Sequence, residues 1–340
     1  MELVYNKQNA VTADLSRCRW DGKPAIRKTL SGVNGKETRP EWRASEEPRH
    51  WNYWRREIEV YRSEFRELVA DAQVRLPQLF HVEEGEQHIT LILEDVGSRT
   101  GTGLSEIDYE VILRRWGQAQ GLLAEQNFLR HTWTSEQFIR RYTTSKPVDW
   151  RVLGDSDAWQ LPVIRKNWPG QLKEGLQFLY QHREALYGIV ENAQQLPSHL
   201  DFWPNNVILD DQGWVVLIDL GFAGSGAWGE DLGNFIPDAV FDGFVLADSL
   251  HALESRLLHA YLEGLSSGGI EISEKDVRKS MYASAVKYVW LGPLLLTRAL
   301  MGEYQRYGGG APQDIDHQYA ERGKTLMHLF GWAEKALGQL

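Results

Sequence analysis

The stretch that decides the fold runs from Ser198 to Gly221 and reads SHLDFWPNNVILDDQGWVVLIDLG. Two short apolar runs, residues 207–209 and 214–218, flank an Asp-Asp-Gln-Gly turn within it. Apolar runs on either side of such a turn are typical of a β-hairpin. We therefore expect a small hairpin here, preceded by a loop that is rich in polar residues.

Three polar residues of this stretch are placed to meet. Asp201 and Asn206 lie at the two ends of the loop, and the antiparallel turn brings Asp219 back beside Asn206. An Asp and an Asn that converge supply the hard oxygen ligands that Mg²⁺ prefers, and a second Asp can accept a proton from a hydroxyl nucleophile. These are the parts that phosphoryl transfer needs, because its catalysis is mostly positioning and charge neutralisation.

The string HLDFWPNN resembles the H-x-D-x-x-P-x-N loop of the aminoglycoside phosphotransferase and choline kinase-like family, whose members are relatives of protein kinases. The string IDLGFAGSG resembles the metal-binding segment of the same family. By matching position, the resemblance implies that Asp201 is the catalytic base and that Asn206 and Asp219 are Mg²⁺ ligands. It implies that His199 braces the loop, and that Asp231, in the later string EDLG, holds the catalytic loop through backbone N–H groups.

The N-terminal part of the chain is rich in predicted strands. Runs at residues 15–20 and 25–30 flank an Asp-Gly-Lys-Pro turn and predict a hairpin, and further strands are expected at 79–83 and 88–93. Apolar residues recur at helical spacing from Trp51 to about Ala72, which predicts a helix.

The rest of the chain is mostly helical by its apolar periodicity. The predicted helices are 106–127, 135–143, 170–192, 246–266, 273–303 and 316–338. With the resemblance, this pattern implies an α+β class and a bilobal protein-kinase-like fold. Residues 1–95 would be a β-rich nucleotide-binding lobe, and residues 96–340 a mainly helical lobe with the catalytic loop, the metal site and the acceptor pocket.

A kinase-like fold needs a cation on a strand to hold the α- and β-phosphates, and a helical Glu to hold that cation. Strand alternation puts Lys28 on the same face as Ile26, which would cover an adenine, whereas Arg27 faces the other way and is the alternative. Glu57 lies in REIEVY, which resembles the R-E-A-x-x-Y/L element of the family. Glu59 is the alternative partner for the lysine.

The string LILEDVG resembles the L-x-L-E-D-L-G hinge of the family, which implies that backbone groups near Glu94 and Val96 contact the adenine edge. One expected feature is missing, because no G-x-G-x-x-G run precedes the strand of Lys28. The string NKQNAVT, residues 6–12, takes its place, so the contacts that would cover the phosphates stay unassigned.

Composition limits the partners. The 340 residues carry 37 Lys and Arg against 47 Asp and Glu, and the formal net charge of −10 argues against a nucleic-acid or anionic-membrane partner. The one cysteine, Cys18, allows no intrachain disulfide. Neither a signal-peptide core nor a membrane-spanning run is evident, which favours the cytoplasm.

The predicted activity is transfer of the γ-phosphate of ATP (or GTP), with Mg²⁺, to a hydroxyl of a small molecule. The resemblance favours an antibiotic of aminoglycoside, nucleoside or macrolide type, with resistance by O-phosphorylation. The alternatives are a metabolite kinase for an amino alcohol or a sugar, and a catalytically silent kinase-like binding module. The residues fix neither the acceptor nor the oligomeric state.

Overall fold

The structure is a computed structural model that describes residues 3, 6–97, 99–304 and 314–338. Its strands are β1 (Thr12–Trp20), β2 (Lys23–Ser31), β3 (Val74–Arg75), β4 (Leu79–Glu84), β5 (His88–Glu94), β6 (Gln195–Ser198), β7 (Val207–Leu209), β8 (Val215–Leu217) and β9 (Gly224–Ala227). Its helices are α1 (Arg56–Arg62), α2 (Phe65–Leu68), α3 (Glu106–Glu125), α4 (Phe138–Ser145), α5 (Ser156–Gln160), α6 (Pro162–Asn167), α7 (Leu172–Asn192), α8 (Glu230–Phe241), α9 (Leu250–Ser267), α10 (Glu274–Ala283), α11 (Leu291–Met301) and α12 (Ile315–Ala336).

An antiparallel sheet in the order β1-β2-β5-β4 carries the lysine strand. Lys28 pairs with Leu15 on one side and with Leu91 on the other, so it sits in the middle of the sheet. The face that bears Lys28 packs on α1 through an apolar cluster that includes Leu30, Ile58 and Leu91. Apolar burial therefore fixes the lysine strand against the helix that carries Glu57.

The hairpin at the centre of the sequence motif is β7–β8, which pairs Val207 with Leu217 and Leu209 with Val215. β3 extends this hairpin in parallel, next to β8. All six residues of β7 and β8 are buried. The predicted hairpins at residues 15–30 and 207–218 are both confirmed, as is an α+β chain with a β-rich N-terminal part and a mainly helical C-terminal part.

The chain forms two compact units. The first contains residues 1–138, 196–226 and 260–271, and the second contains residues 139–195, 227–259 and 272–340. In the first unit lie the sheet with β1 and β2, helices α1 to α3 and the β7–β8 hairpin. The second unit is built from helices, with α7 and α12 among its longest. No helix of the described residues is long and apolar enough to cross a membrane.

Two predicted helical segments differ from the structure. The segment 51–72 keeps only α1, α2 and a 3-10 turn, because the hydroxyl of Ser63 bonds the carbonyl of Val60 and the N–H of Phe65 and interrupts the helix. The segment 273–303 divides into α10, a 3-10 stretch and α11, which has Pro293 in its first turn.

Helix α8 was not predicted. Its interior holds Pro237 and Gly233, residues that usually argue against a helix. It is also buried on nearly all sides, so it lacks the amphipathic repeat by which a surface helix is found.

Candidate active site

A buried lysine and two carboxylates meet where β2 packs against α1. The Nζ atom of Lys28 lies 2.5 Å from Oε2 of Glu57 and 2.8 Å from Oδ1 of Asp219. Lys28 and Glu57 are buried, whereas half of the Asp219 side chain is exposed. Arg27, the alternative to Lys28, is largely exposed and pairs with Asp14. Of the two candidate carboxylates on α1, Glu57 makes the contact.

The charges of this cluster support one another. Burial would lower the pKa of Lys28, but the carboxylates of Asp219 and Glu57 outweigh burial and raise it. Burial raises the pKa of Glu57, an effect that the charge of Lys28 opposes. The surrounding protein disfavours an ionised Asp219, yet the charge and hydrogen bond of Lys28 prevail and lower its pKa. At neutral pH the site therefore presents an ammonium group beside an ionised Asp219.

The loop before the hairpin closes on itself through Asn206. The Nδ2 group of this residue donates to Oδ2 of Asp201 at 2.8 Å and to the backbone carbonyl of Asp201 at 2.9 Å. The N–H of Ile218 donates to the carbonyl of Asn206 at 3.1 Å. Asp219 therefore follows directly on a residue that is bonded to the Asp201–Asn206 loop.

His199 links the same loop to the residue that follows β8 through two hydrogen bonds. It is fully buried, and its Nε2–H donates to the carbonyl of Ile218 at 3.0 Å while its Nδ1 accepts from the N–H of Asp201 at 3.3 Å. With Nδ1 accepting, the nitrogen that donates to the carbonyl of Ile218 is Nε2.

Two residues of the motif have left-handed backbone conformations. The φ angles are +65° at Leu200 and +59° at Asp219. For a residue with a side chain, this region costs about 1–2 kcal/mol. These residues precede and end the loop–hairpin unit, so the sharp chain reversals that aim Asp201 and Asp219 are held against a local strain.

The donor set fits a magnesium ion. Both bonds from the Asn206 amide nitrogen go to Asp201, and within the described part of the chain its amide oxygen accepts none. That oxygen and the half-exposed carboxylate of Asp219 are hard ligands of the kind Mg²⁺ takes in ones and twos, with waters and phosphates completing its shell. Among the described residues no group of three or more His, Cys, Asp and Glu could hold a metal ion.

The hinge segment leaves backbone groups available. The N–H and C=O of Val96 make no hydrogen bond within the residues that the structure describes. Its neighbours are fixed by side chains, because Glu94 accepts from Arg75 at 2.7 Å and Asp95 accepts from Arg17 at 3.0 Å. The hinge is thus held from both sides while Val96 keeps a donor and an acceptor for a ligand.

Asparagine side chains organise the segment that stands in place of a glycine-rich loop. The N–H of Gln8 donates to Oδ1 of Asn6 at 3.0 Å, and the N–H of Val11 donates to Oδ1 of Asn9 at 3.1 Å. The amide of Asn52 also donates to Oδ1 of Asn9. These Asx-type turns give the segment a fixed shape without glycines.

In the second unit, Asp231 and Glu230 begin α8 and are both buried. Burial raises the pKa of Glu230 to about 8. The N–H of Ala227, which donates to its carboxyl at 2.8 Å, opposes this rise but does not cancel it. Glu230 is therefore mostly protonated at neutral pH. The role of Asp231 as a support of the catalytic loop stays a prediction.

The family model named "Phosphotransferase enzyme family" (APH) matches residues 37–267, which is more than half of the chain. This chain belongs to that family. The phosphotransferase therefore acts on small molecules, and the resemblance drawn from its loop and hairpin motifs is confirmed. No curated protein sequence matches it.

Solved structures resemble the phosphotransferase in fold. One is "Amicoumacin kinase hAmiN in complex with AMP-PNP, Ca2+ and Ami", 10% identical, with a TM-score of 0.52 over 94% of this chain and 88% of that one. Another is the spectinomycin phosphotransferase APH(9)-Ia in complex with ADP and spectinomycin, 12% identical, with a TM-score of 0.51 over 96% of this chain and 91% of that one. At such identities the likeness shows the fold, and it confirms the predicted kinase-like class.

Two residues that hold the phosphotransferase site together were missed from sequence. Arg75 bridges Glu94 of the hinge to Asp210 of the β7–β8 turn. Arg56, next to Glu57, donates to backbone carbonyls from a fully buried position. Arg56 is the arginine of the string REIEVY in α1. Arginine is usually found at the surface, and the sequence contains no signal that this one is buried among carbonyl groups.

Proposed function

We propose that this phosphotransferase moves the γ-phosphoryl group of ATP or GTP to a hydroxyl of a small molecule. One observation carries the proposal: a charged Lys28 contacts Glu57 and Asp219 directly, and the segment of Asp219 is bonded to the Asp201–Asn206 loop. Cation, metal-ligand donors and base are thus assembled in one compact unit, as positioning catalysis of phosphoryl transfer needs.

Each side chain takes a role that its surroundings support. Lys28 holds the α- and β-phosphates, and Glu57 keeps the lysine in place. Asn206 and Asp219 hold Mg²⁺, which would neutralise charge on the β- and γ-phosphate oxygens. The adenine or guanine edge meets the hinge at Glu94 and Val96, where the backbone of Val96 is open.

Asp201 is the base in this proposal. It takes the proton of the acceptor hydroxyl while the hydroxyl oxygen bonds to the γ-phosphorus and the bond from that phosphorus to the bridging oxygen breaks. The donor bonds from Asn206 orient the carboxylate of Asp201 without neutralising it. His199 and Asp231 support the loop, residues 1–95 act as the nucleotide lobe, and residues 96–340 shape the acceptor pocket.

The acceptor we propose is an antibiotic, of aminoglycoside, nucleoside or macrolide type, so that the reaction would confer resistance. Support comes from the motif resemblance and from the net charge of −10, which favours encounter with cationic molecules. An amino alcohol or sugar acceptor is the competing class. We further infer a cytoplasmic location, where the nucleotide is supplied.

The test is Asp201→Asn, with Asp211→Asn in the exposed hairpin turn as the matched control. A panel of antibiotics, amino alcohols and sugars is incubated with Mg·ATP and Mg·GTP, and phosphorylated products are detected by mass. We expect Asp201→Asn to keep nucleotide affinity and lose roughly 10²–10⁴ of the transfer rate, because a positioned base contributes about that much. Asp211→Asn should match the wild type.

Undiminished turnover in Asp201→Asn would rule out its role as the base. Nucleotide binding by the wild type without transfer to any acceptor would favour the silent binding module instead. A product only with an amino alcohol or a sugar would replace the antibiotic by a metabolite as the acceptor.

A further inference from the structure

Arg56 is a fully buried arginine whose five N–H donors all reach backbone carbonyls. The acceptors and distances are Trp133 at 2.8 Å, Trp51 at 2.9 Å, Gly221 at 2.8 Å, Pro48 at 2.8 Å and His50 at 2.6 Å. No carboxylate of the described residues pairs with it, so its charge is compensated by carbonyl dipoles and by the ring of Tyr53, whose centroid lies 5.7 Å from the guanidinium carbon. Burial lowers the pKa of Arg56 to about 9, and it stays charged at neutral pH.

The carbonyl of Gly221 belongs to the segment that aims Asp219. Asp219 precedes the 3-10 turn Leu220–Phe222, and its own left-handed conformation directs the chain into that turn. Arg56 and Glu57 are consecutive on α1. Glu57 reaches Asp219 through Lys28, and Arg56 reaches the backbone two residues further on.

The other side of the same segment is held by Ser135. Its hydroxyl donates to the carbonyl of Phe222 at 2.6 Å, and its N–H donates to the carbonyl of Ala223. The approach is so close that a Cβ on Gly224 would lie 2.3 Å from the nitrogen of Ser135. The turn after Asp219 is therefore clamped between Arg56 and Ser135.

We propose that Arg56 is a positioning residue for phosphoryl transfer, which fixes the backbone after Asp219 to the helix of Glu57 and so sets the metal-binding geometry of Asp219. This inference rests on the proposed function. Arginine suits the task because its planar fork serves several acceptors at fixed angles. A lysine has three donors on one atom and cannot reach carbonyls on opposite sides.

A merely structural role makes a different prediction. If Arg56 only closes the loop at residues 48–51, its loss lowers thermal stability, while the folded fraction keeps its metal affinity. If it positions Asp219, the metal affinity of the folded protein falls as well. Loss of a group that orients a metal ligand typically costs 10- to 100-fold in metal affinity.

The experiment compares Arg56→Lys with two control variants, one at the residue before α1 and one within α1. Arg55→Lys changes the neighbouring arginine, which pairs with the partly exposed Glu84. Ile58→Ala opens a cavity in the apolar cluster between the same helix and the sheet. Melting temperature, nucleotide affinity without metal, and Mn²⁺ affinity of the nucleotide complex by electron paramagnetic resonance are measured for each, with the Mg²⁺ dependence of transfer.

We expect Arg56→Lys to weaken Mn²⁺ binding at least about tenfold and to raise the half-saturating Mg²⁺ concentration by a similar factor. Metal-free nucleotide affinity should change little. Ile58→Ala should lose stability yet keep metal affinity, and Arg55→Lys should resemble the wild type. Wild-type Mn²⁺ affinity in folded Arg56→Lys would overturn the proposal.

Ser135→Ala keeps the test decisive if Arg56→Lys does not fold. It removes one hydrogen bond to the clamped turn and should weaken Mn²⁺ binding in the same direction by a smaller factor. An unchanged Mn²⁺ affinity in Ser135→Ala, with no folded Arg56 variant, overturns the inference. A wild type that binds Mn²⁺ and nucleotide but transfers nothing defeats the proposed function alone, whereas one that binds neither defeats both.

Discussion

Lys28 lies between the carboxylates of Glu57 and Asp219, which would otherwise repel each other. It therefore stabilises the fold as well as serving the proposed nucleotide site. Glu57 is buried, and its pKa is raised first by burial, with the charge of Asp219 adding to the rise. The ammonium group is what allows both carboxylates to face one point. Removing one partner of a buried charge group typically costs 3–5 kcal/mol, because the remaining charge is uncompensated.

We expect Lys28→Met to lose nucleotide-dependent activity and to become less stable as pH rises. Without the ammonium, the pKa of Glu57 rises further, so the folded variant binds a proton that the unfolded chain releases above its ordinary pKa near 4.5. Stability is then highest at acid pH and falls as pH increases towards the raised value. Urea unfolding between pH 5 and 8 measures this trend.

Arg27→Met is the control, since Arg27 is the adjacent residue on the opposite face and pairs with the exposed Asp14. An exposed pair contributes about 0–1 kcal/mol, so this variant should track the wild type at every pH. If Lys28→Met and Arg27→Met showed the same pH profile, the buried cluster would not be the source of the effect.

For single residues, the sequence predicts those positions that follow from the alternation of side chains along a strand or from the spacing across a hairpin. Lys28 was separable from Arg27 because strand residues alternate between faces, and Asp219 could be placed beside Asn206 because a hairpin must return. Arg56 and Arg75 were not predictable. The acceptors of Arg56 are carbonyl groups, which every residue has, and the partners of Arg75 come together only in the folded chain.

A single carboxylate joins three helices of the second unit. Glu254 of α9 accepts from Tyr282 of α10 at 2.6 Å, and from Trp332 and His328 of α12 at 2.8 and 3.0 Å. Arg278 of α10 adds a fourth contact at 3.3 Å. Burial disfavours the charge, but these donors outweigh it and lower the pKa of Glu254 to about 2.

The network should stabilise the protein at neutral pH and fade in acid. The folded pKa lies below the ordinary value of 4.5, so the contribution is complete above that value and is lost as pH falls towards about 2. With each pKa unit worth about 1.4 kcal/mol, it amounts to about 3 kcal/mol. We expect Glu254→Gln to be destabilised by a similar amount at pH 7, as read from denaturant unfolding.

The difference in unfolding free energy between Glu254→Gln and the wild type should disappear as pH falls from 4.5 to 2. Glu263→Gln, an exposed position on the same helix that pairs with Arg114, serves as the control and should stay near the wild type. If this difference in unfolding free energy were the same at all pH values, the charge of the carboxylate would not be what stabilises the packing of the three helices.

Elements were predictable where their pattern was periodic and their ends were marked. The β1–β2 and β7–β8 hairpins carry turn residues between apolar runs, and α3 begins with a capping box at Ser105. Helix α8 escaped notice because burial on nearly all sides removes the polar face that defines a repeat. Tertiary packing, not local propensity, makes it helical.

On the scale of the whole molecule, every proposed nucleotide and metal contact falls in the first compact unit. Lys28, Glu57, Asn206 and Asp219 lie within its segments 1–138 and 196–226. The division predicted at residue 95 rested on a change in composition, and it stays a prediction. A change of composition marks where strands give way to helices, while compactness depends on contacts between distant parts of the chain.

Mg·nucleotide should therefore stabilise the first unit selectively. At a concentration of about 100 times Kd, binding adds about 2.7 kcal/mol, which corresponds to roughly 5–10 °C in melting temperature. Hydrogen exchange should show the added protection in peptides from residues 6–97 and 196–226. Added protection confined to residues 139–195 and 272–304 would contradict the proposed location of the nucleotide site.

The left-handed backbone at Leu200 and Asp219 has a consequence for how this sequence would drift under selection. Glycine or asparagine adopts that conformation at lower cost, and glycine at position 219 would also leave Lys28 and Glu57 as a balanced pair. The relief of backbone strain, about 1–2 kcal/mol, is comparable to the stabilisation lost with the half-exposed Lys28–Asp219 ion pair, so selection for heat tolerance alone does little to keep the carboxylate that the chemistry needs. Directed evolution for thermal resistance without a screen for turnover should return descendants that survive heating and transfer no phosphate.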